Sequence, residues 1–296
     1  MARVVVIGTG SIGGYFAGEL AEAGHEVVMC SRRPFDRLVV EHLDGSKVEV
    51  DSPALTDPAH VPHGDWVMLA TKAHQVPDVA GWLAGACGPS TKAVVVMQNG
   101  VDHEGRVAPY VDGTPVLSSI VLCGAEAVAP GHVVHHGASN LEVPRGEMSE
   151  ELAALFVGTR VNIVFHDDFV SAQWRKLIQN VTAAPITAIT TRRMGVLRNA
   201  AVKALAIGLA EECIHVANAV GAHIPIEEAV SSIELMGRVN PSMGSSMLYD
   251  RLAGRPLEYQ YLTGAVTHYG ETNQIPTPLN DALYALLSGI SEGPPS

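Results

Sequence analysis

The sequence predicts an α/β fold in two parts, a parallel-sheet domain followed by an all-helical domain. Short Val- and Ile-rich runs alternate with helix-like stretches in the first half, as in a parallel sheet covered on both faces. After Asp168 long helical periodicities replace this alternation. A glycine-rich turn follows the first apolar run, which is where sheets of this class bind nucleotides. We therefore expect residues 1–167 to form a dinucleotide-binding Rossmann domain and residues 168–296 a helical substrate or dimerisation domain.

Each element is placed by its own pattern. The apolar runs predict strands at Arg3–Ile7, Val27–Cys30, Trp66–Ala70, Ala93–Met97, Val116–Leu122, His132–His135 and Val161–Phe165. Helical spacing of apolar residues predicts a helix between the first two strands and further helices at about 169–190, 199–220, 226–237 and 278–288. The end of the chain, Glu292–Ser296, is expected to be a tail without regular structure.

Composition limits the classes of function. Of the 296 residues, 47% are hydrophobic and 17% charged, which is typical of a compact globular protein. A formal net charge of -12 disfavours nucleic acid and anionic membranes as partners. Charged residues, Gly or Pro interrupt every apolar run, so no membrane span is expected. The four cysteines are widely spaced and no secretion signal is visible, so we expect a cytoplasmic protein.

The first turn carries the clearest chemical signal. Gly8, Gly10 and Gly13 form Gly-x-Gly-x-x-Gly between an apolar strand and an amphipathic helix. Glycines there allow a tight turn and the close approach of a pyrophosphate, which then faces the helix N-terminus. The alternative is a structural turn without a ligand. We expect dinucleotide binding.

The end of the second predicted strand indicates which dinucleotide. Sites that prefer NAD usually carry Asp or Glu there for the ribose hydroxyls, whereas this chain carries Ser31, Arg32 and Arg33. The pattern favours the 2′-phosphate of NADP, and the alternative is a solvated basic turn. Lys72, after the third strand, lies at the carboxyl end of the sheet where ligands gather.

Two further groups are candidates for chemistry. Gln98-Asn99-Gly100 ends the fourth predicted strand, either as an amide pair facing the ligand or as a plain turn. Lys176 and Asn180 lie one turn apart on a helix with an apolar stripe. An ammonium group there can polarise a carbonyl and give it a proton, while the amide orients the substrate. The alternative is a lysine that extends along the apolar surface into solvent.

With these motifs the chain resembles the ketopantoate reductase family, within the group related to 6-phosphogluconate dehydrogenase, over nearly its whole length. The motifs that carry the resemblance are Gly8-Thr9-Gly10-Ser11-Ile12-Gly13, Thr71-Lys72-Ala73-x-Gln75, Gln98-Asn99-Gly100, Pro130-Gly131-His132-Val133 with His135 and Gly137, Trp174-Arg175-Lys176 with Asn180, Ser245-Ser246-Met247-Leu248-x-Asp250, and Gly254-Arg255-Pro256-x-Glu258.

The resemblance implies a reductase of pantothenate biosynthesis that moves hydride from NADPH to the C2 carbonyl of a 2-oxo acid. It implies Lys176 as proton donor, Asn99 and Asn180 as groups that align substrate and nicotinamide, and Ser246 as a contact to the substrate carboxylate. Glu258 would orient the lysine or a substrate hydroxyl. The cofactor contacts it implies are Gly8, Thr9, Gly10, Ser11, Ile12, Gly13, Ser31, Arg32, Lys72, Gln75 and Asn99.

The chain departs from the family pattern at two positions. Ala184 stands one turn beyond Asn180, where family members acting on ketopantoate typically carry another asparagine. We therefore expect another branched or apolar 2-oxo acid as an alternative substrate, provided that Pro185 does not end or kink the helix and turn Ala184 away. Asp102 replaces a second glycine after Gln-Asn-Gly and is expected to be a turn variation.

Other patterns receive no chemistry. His132, His135 and His136 lack a neighbouring metal-binding pattern and are interpreted as strand-edge histidines, so no metal is expected. The helical stripe Val202, Leu205, Leu209 and Val216 is expected to be core or dimer contact, and a homodimer is consistent with it. Two alternative functions remain open, an NADP-binding sensor without turnover and an NADP-dependent oxidation of a 2- or 3-hydroxy acid.

Overall fold

A computed structural model describes residues 1–238 and 240–291 and divides the chain into two compact units. The first is Met1–Phe169 and the second begins at Val170, next to the boundary expected from sequence. The predicted tail, Glu292–Ser296, lies outside the described residues. None of the helices within 1–238 and 240–291 is long and apolar enough to cross a bilayer.

The first unit contains two sheets. Its strands are β1 (Arg3–Ile7), β2 (Glu26–Cys30), β3 (Leu38–Glu41), β4 (Lys47–Val50), β5 (Trp66–Leu69), β6 (Ala93–Val96), β7 (Val116–Ser118), β8 (Ile120–Ala129), β9 (His132–Pro144) and β10 (Asn162–His166). Its helices are α1 (Ser11–Glu22), α2 (Ala80–Ala86), α3 (His103–Val107) and α4 (Glu147–Ala154).

The first sheet is parallel throughout, in the order β2-β1-β5-β6-β7. Its strands are nearly continuous apolar runs and are buried on both faces, as parallel sheets are. One face packs on α1 through residues such as Val6 and Phe16, and the other packs on α2 through Ile7 and Leu83. The predicted doubly covered α/β sheet is confirmed.

The second sheet is mixed, in the order β10-β9-β3-β4, with β8 antiparallel to β9. This sheet was not predicted from the sequence. The single predicted strand Val116–Leu122 is wrong, because Ser119 separates β7 from β8. The backbone N–H and the hydroxyl of Ser119 both donate to the Val96 carbonyl, at 3.2 and 2.7 Å, at the last contact between β7 and β6. The chain then enters the second sheet.

Helix α1 fits against the second sheet because the two glycines that face it, Gly14 and Gly18, have no side chain. A Cβ on Gly14 would lie 2.7 Å from Val133 Cγ2, and one on Gly18 would lie 2.6 Å from Val40 Cγ2. Val133 is in β9 and Val40 is in β3, so α1 is held at a distance that glycine alone allows without repacking. The helix that follows the glycine-rich turn is thus fixed from two sides.

A buried carboxylate secures the end of α1. Glu19 is fully buried, and its Oε2 accepts the Arg160 backbone N–H at 2.7 Å. The Arg160 guanidinium binds Glu22 at 2.6 Å, and His42 Nε2 lies 3.5 Å from Glu19 Oε1. Burial lowers the pKa of His42, so its imidazole is neutral at pH 7.

Glu19, Glu22 and His42 place possible metal-ligand atoms within 4.8 Å of one another. The Arg160 guanidinium binds Glu22 and lies 3.9 Å from Glu19 Oε1. We therefore interpret the group as an ion-pair network that links α1 to the segment before β10.

The described part of the second unit is helical. Its helices are α5 (Phe169–Thr190), α6 (Ala200–Ala219), α7 (Glu228–Arg238), α8 (Ser246–Leu252), α9 (Thr263–Thr272) and α10 (Pro278–Ser291). The predicted helices at 169–190, 199–220, 226–237 and 278–288 are confirmed as α5, α6, α7 and α10, whereas α8 and α9 were missed. Leu209 and Val216 of the α6 stripe are buried, and Val202 and Leu205 pack on the core.

Helix α5 continues through Pro185, so this proline does not end it. Proline lacks an N–H and leaves a helix carbonyl without its usual partner. Around it, the Thr182 hydroxyl donates to Ile178 O at 2.8 Å and the Thr187 hydroxyl to Ala183 O at 2.7 Å. These side-chain bonds add hydrogen bonding to the helix on both sides of the proline.

Candidate functional site

At two positions of the glycine-rich turn, the backbone leaves no room for a side chain. Gly8 has φ +93°, a region that favours glycine, and a Cβ there would lie 2.9 Å from the backbone nitrogen of Thr71. A Cβ on Gly13 would lie 2.0 Å from the Gly8 carbonyl oxygen. The start of α1 therefore lies directly on the end of β1.

Gly10 is different, because the protein itself leaves space around it. A Cβ there would meet no atom within 4 Å, and the residue is exposed. Gly10 is the N-cap of α1, has no side-chain cap, and no acidic residue follows in the first turn. The free N–H groups and the helix dipole together favour a bound anion. The turn fits the pyrophosphate of a dinucleotide, with its backbone as the contact.

The other residues of the turn have structural contacts. Ser11 Oγ accepts the Ala127 backbone N–H at 3.0 Å, which joins the turn to β8. Ile12 packs against the apolar core. Thr9 Oγ1 is buried and has no hydrogen-bond partner within 1–238 and 240–291. Ile12 could contact a phosphate only through its backbone N–H, whereas the Ser11 hydroxyl, which accepts from Ala127, can still donate its own hydrogen.

The end of β2 presents basic side chains. Ser31 Oγ accepts the Arg33 backbone N–H at 3.2 Å, which shapes the turn after the strand. Arg32 and Arg33 are both exposed, and within the described ranges Arg32 makes no ion pair. An exposed guanidinium without a carboxylate partner can bind a phosphate in two-point geometry.

The loops after β5 and β6 are joined by one buried amide. Gln98 is 5% exposed, and its Nε2 donates to Thr71 Oγ1 at 3.0 Å and to the Lys72 carbonyl at 3.2 Å. Gln75 Oε1 accepts the Lys72 backbone N–H at 3.1 Å. The sequence-predicted residues Lys72, Gln75 and Asn99 thus lie on loops that Gln98 holds together at the carboxyl edge of the sheet.

The backbone conformation of Asp102 explains why it can replace the second glycine that the family pattern has after Gln-Asn-Gly. Its φ of 56° and ψ of 45° are left-handed, where glycine is the least strained residue and Asp or Asn the next most tolerated. The expectation of a turn variation agrees with this backbone geometry.

His103, the first residue of α3, lies directly behind the Gln98–Gly100 segment. It is 1% exposed, and burial lowers the pKa of its imidazole to about 3. The side chain is neutral at physiological pH and packs beneath the loop. Sequence reasoning gave His103 no role, since a histidine with no motif around it carries no signal.

In the second unit, α5 presents Lys176 and Asn180 as partly exposed side chains one turn apart. The adjacent Arg175 has a different task, because its guanidinium binds both carboxylate oxygens of Glu228 on α7, at 2.8 and 2.9 Å. Ala184, one turn after Asn180, is 4% exposed and remains within the helix.

The remaining predicted residues lie at a helix start and in a loop. Ser246 is the exposed first residue of α8, whose N-cap Ser245 accepts the Leu248 N–H at 3.1 Å and lies 2.6 Å from Thr187 Oγ1 of α5. Glu258 is 4% exposed, which excludes a solvated surface charge. A buried carboxylate of this kind needs polar partners, and functional sites frequently supply them.

The histidines of β9 have structural surroundings. His135 is buried and stacks on Tyr15, with ring centroids 4.5 Å apart. His132 lies 3.2 Å from Glu41 and His136 lies 3.4 Å from Glu126. Strand pairing brings these two carboxylates close although neither is near its histidine in sequence.

The chain matches two family models along its length. Residues 4–148 match "Ketopantoate reductase PanE/ApbA" and residues 168–291 match "Ketopantoate reductase PanE/ApbA C terminal". The chain belongs to the ketopantoate reductase family. It is therefore an oxidoreductase, and its family uses a nicotinamide cofactor.

Relatives cover the chain from end to end. It is 32% identical over 292 residues to a 2-dehydropantoate 2-reductase of Mycobacterium tuberculosis, with 98% of each chain covered. It is 31% identical over 295 residues to the enzyme of that name from Caulobacter vibrioides, covering 98% of this chain and 100% of the relative.

Solved structures of other proteins share the fold of this chain. A PanE/ApbA family ketopantoate reductase from Ralstonia eutropha JMP134 superposes with a TM-score of 0.90 at 30% identity, and 98% of each chain is covered. D-mandelate dehydrogenase, solved with NADH and anilino(oxo)acetate, shares the fold with a TM-score of 0.88 at 21% identity, covering 98% of each chain.

The contrast between Gly10 and Gly13 gives a paired test of the turn. We expect Gly10→Ala to change the free energy of unfolding by less than about 1 kcal/mol, since its methyl group meets no protein atom. The same methyl group should weaken binding of NADPH or NADH about tenfold or more, because it fills the space of the pyrophosphate. Gly13→Ala should instead lower the free energy of unfolding by about 1–3 kcal/mol or more.

Urea unfolding and titration of nucleotide fluorescence measure the two quantities. Wild-type nucleotide affinity in the Gly10→Ala protein would contradict the assignment of this turn to the cofactor.

Proposed function

We propose that this protein reduces a 2-oxo acid to the 2-hydroxy acid with NADPH, the substrate being ketopantoate or a related branched or apolar 2-oxo acid. The full-length similarity to proteins named 2-dehydropantoate 2-reductase carries the reaction class. With ketopantoate as substrate the reaction belongs to pantothenate biosynthesis. The protein would act in the cytoplasm, with a small molecule as its partner.

The choice of NADPH rests on the end of β2. Arg32 is exposed there, and no acidic residue stands in its place to bind the two ribose hydroxyls. When bound, the cofactor supplies a hydride to the substrate C2. The first unit would hold it through Gly8–Gly13, Ser31 and Arg32, Lys72 and Gln75, and Asn99.

The second unit would supply the groups that act on the substrate. The Lys176 ammonium would donate a hydrogen bond to the carbonyl oxygen and then a proton to the developing alkoxide. Asn180 and Asn99 would orient the reacting groups through their amides, and Ser246 at the start of α8 would bind the substrate carboxylate. Glu258, buried and ionisable, would orient the Lys176 ammonium or a substrate hydroxyl.

The two alternatives predict different behaviour. A sensor that has lost turnover would bind NADPH but consume none with any 2-oxo acid. An NADP-dependent dehydrogenase of a 2-hydroxy acid would differ only in physiological direction, because hydride transfer is reversible, whereas a dehydrogenase of a 3-hydroxy acid would form a 3-oxo acid. The decisive experiment is a panel of 2-oxo acids, each with NADPH and with NADH, followed by loss of reduced-nicotinamide absorbance. Turnover with at least one 2-oxo acid supports the proposal, and its absence across the panel contradicts it.

Arg32→Ala should weaken NADPH binding about tenfold or more while NADH binding stays within about twofold. A charge-assisted phosphate contact contributes about 1.5–3 kcal/mol, and NADH has no 2′-phosphate. Arg33→Ala is the matched control, because Arg33 is equally exposed and of the same charge. Equal losses for both nucleotides in Arg32→Ala would refute the phosphate contact.

Lys176→Met should lower turnover by about 10²–10⁴ and leave the dissociation constant for NADPH within about threefold of wild type. Methionine keeps the length and apolar contacts of the side chain but removes the proton donor. Lys203→Met on α6 serves as the control, since Lys203 is exposed and paired with Glu234 at 3.3 Å. Turnover within a few fold of wild type would make Lys176 a surface lysine.

Ala184→Asn should raise the specificity constant for ketopantoate relative to an apolar 2-oxo acid by about two- to tenfold. One added hydrogen bond to a neutral hydroxyl contributes about 0.5–1.5 kcal/mol. Wild type is expected to use the apolar acid at least as well as ketopantoate. The ratio of the two specificity constants is measured in both proteins, and an unchanged ratio would remove Ala184 from the substrate site.

A further inference from the structure

Arg106, near the end of α3, contacts the loop that carries Asn99 at three points. Its Nε donates to Gln98 Oε1 at 3.2 Å, its Nη1 to the Val101 carbonyl at 3.3 Å, and its Nη2 to the Asn99 carbonyl at 3.5 Å. The guanidinium has five N–H donors in a rigid plane, so these contacts fix the loop in more than one direction. Arg106 is partly buried and belongs to no sequence motif identified above.

Arg106 also determines which way the Gln98 amide points. A guanidinium only donates, so Gln98 must turn its oxygen toward Arg106. The amide nitrogen then points to Thr71 Oγ1 and the Lys72 carbonyl, both of which accept. The reversed amide would set a donor against the guanidinium and an acceptor against a carbonyl. Gln98 therefore connects Arg106 to the loop after β5 in one orientation.

That loop in turn lies against the glycine-rich turn. A Cβ on Gly8 would lie 2.7 Å from Thr71 Cγ2 and 2.9 Å from the Thr71 nitrogen, so Gly8 and Thr71 are in direct contact. Arg106, Gln98 and Thr71 thus form a continuous series of contacts across the carboxyl ends of β6, β5 and β1. All of these residues lie within the first unit.

Arg106 and the buried His103 both lie against the loop after β6. Asp102 is in the left-handed region, and α3 has no side-chain cap at its N-terminus. Left-handed backbone in a residue other than glycine persists only where surrounding contacts hold it. The carbonyls of Asn99 and Val101 both accept from Arg106, which makes this side chain a principal support of the segment.

We propose that Arg106 is a positioning residue for the cofactor edge of the sheet. Through Gln98 it sets the loop that carries Lys72 and Gln75, and through the backbone it sets the position of Asn99. The proposal rests on the proposed function, because that function makes these loops the cofactor-binding loops. Arg106 itself donates its hydrogen bonds to protein atoms and acts through other residues.

The test uses the full-length protein with Arg106→Gln and Arg106→Lys, and Arg145→Gln as the matched control. Arg145 is also in the first unit, and its guanidinium binds the exposed carboxylate of Asp167 at 2.6 Å. Amide hydrogen exchange is measured without nucleotide in peptides that cover residues 71–75, 98–101 and, for comparison, 38–50. NADPH dissociation constants and turnover are measured on the same proteins.

Both Arg106 variants should exchange faster in 71–75 and 98–101, with residues 38–50 unchanged. The dissociation constant for NADPH should rise about tenfold, and turnover at saturating NADPH should also fall, by a smaller factor, because Asn99 is displaced only through its backbone. Arg106→Lys keeps the charge but not the planar fork, so it should resemble Arg106→Gln rather than wild type. Combined with Gln98→Leu, Arg106→Gln should add little, because both changes break one series of contacts.

Unchanged exchange in both loops overturns the proposal, and so does faster exchange spread evenly over the first unit, which would show a general loss of stability. Wild-type behaviour of Arg106→Lys overturns it as well, since charge alone would then suffice. Failure of the proposed function has a different signature. In that case wild type itself binds no nicotinamide nucleotide, while the exchange experiment on nucleotide-free protein still reports on the loop contacts.

Discussion

The contact between Gly13 and the carbonyl oxygen of Gly8 is the constraint on which the first unit depends. A methyl group at Gly13 would lie 2.0 Å from that oxygen, so the helix can start this close to the strand only without a side chain. The short turn aims the first free N–H groups of α1 at the carboxyl edge of the sheet. It also brings Gly8 onto Thr71, so the placement of the loop after β5 follows from the placement of the glycine-rich turn. A change at Gly13 would therefore act on geometry far beyond its own turn.

Helix α1 also links the two sheets of the first unit. Its Phe16 side packs on the parallel sheet, and its Gly14 and Gly18 let β9 and β3 approach from the other side. The buried carboxylate of Glu19 then needs compensation, since an uncompensated charge in the interior is costly. The Arg160 backbone N–H and the neighbouring guanidinium supply it. The helix that would face the cofactor is thereby held along most of its length.

Local sequence patterns predicted the first sheet and the long helices, because the strands are nearly continuous apolar runs and the helices have regular apolar stripes. The second sheet was not predicted, because β3 and β4 are four residues each and β3 joins the sheet by pairing with β9, which is distant in sequence. Ser119 shows the same limit, because it separates β7 from β8 and no local sequence pattern indicates a break there. Helices α8 and α9 were also missed, α8 because it has only seven residues and α9 because it is rich in Gly and Thr, which have low helix propensity.

Some residues of the candidate site could likewise be predicted from local sequence patterns, and others could not. The glycines of the turn have a recognisable spacing in the sequence. So does the lysine that stands one helical turn before an asparagine, and both could be identified from sequence. Arg106 could not, because its importance comes from the carbonyls and the amide that it meets in space. Glu258 was assigned by resemblance alone, and its burial gives a physical reason to separate it from a surface charge. Residues that act through geometry between loops are the ones that a linear pattern leaves out.

The net charge of the protein is -12, yet its proposed ligand is an anionic dinucleotide. Electrostatic interactions in salt solution are screened over about 8 Å, so the overall charge has little weight at a site that is locally positive. The uncapped N-terminus of α1 and the exposed Arg32 and Arg33 at the end of β2 provide such a locality. A nucleic acid needs positive charge along an extended surface, whereas one dinucleotide needs it at its pyrophosphate and at its 2′-phosphate. The same charge balance that disfavours nucleic acid is therefore compatible with NADPH, and the discrimination between the two lies in where the few cations are placed.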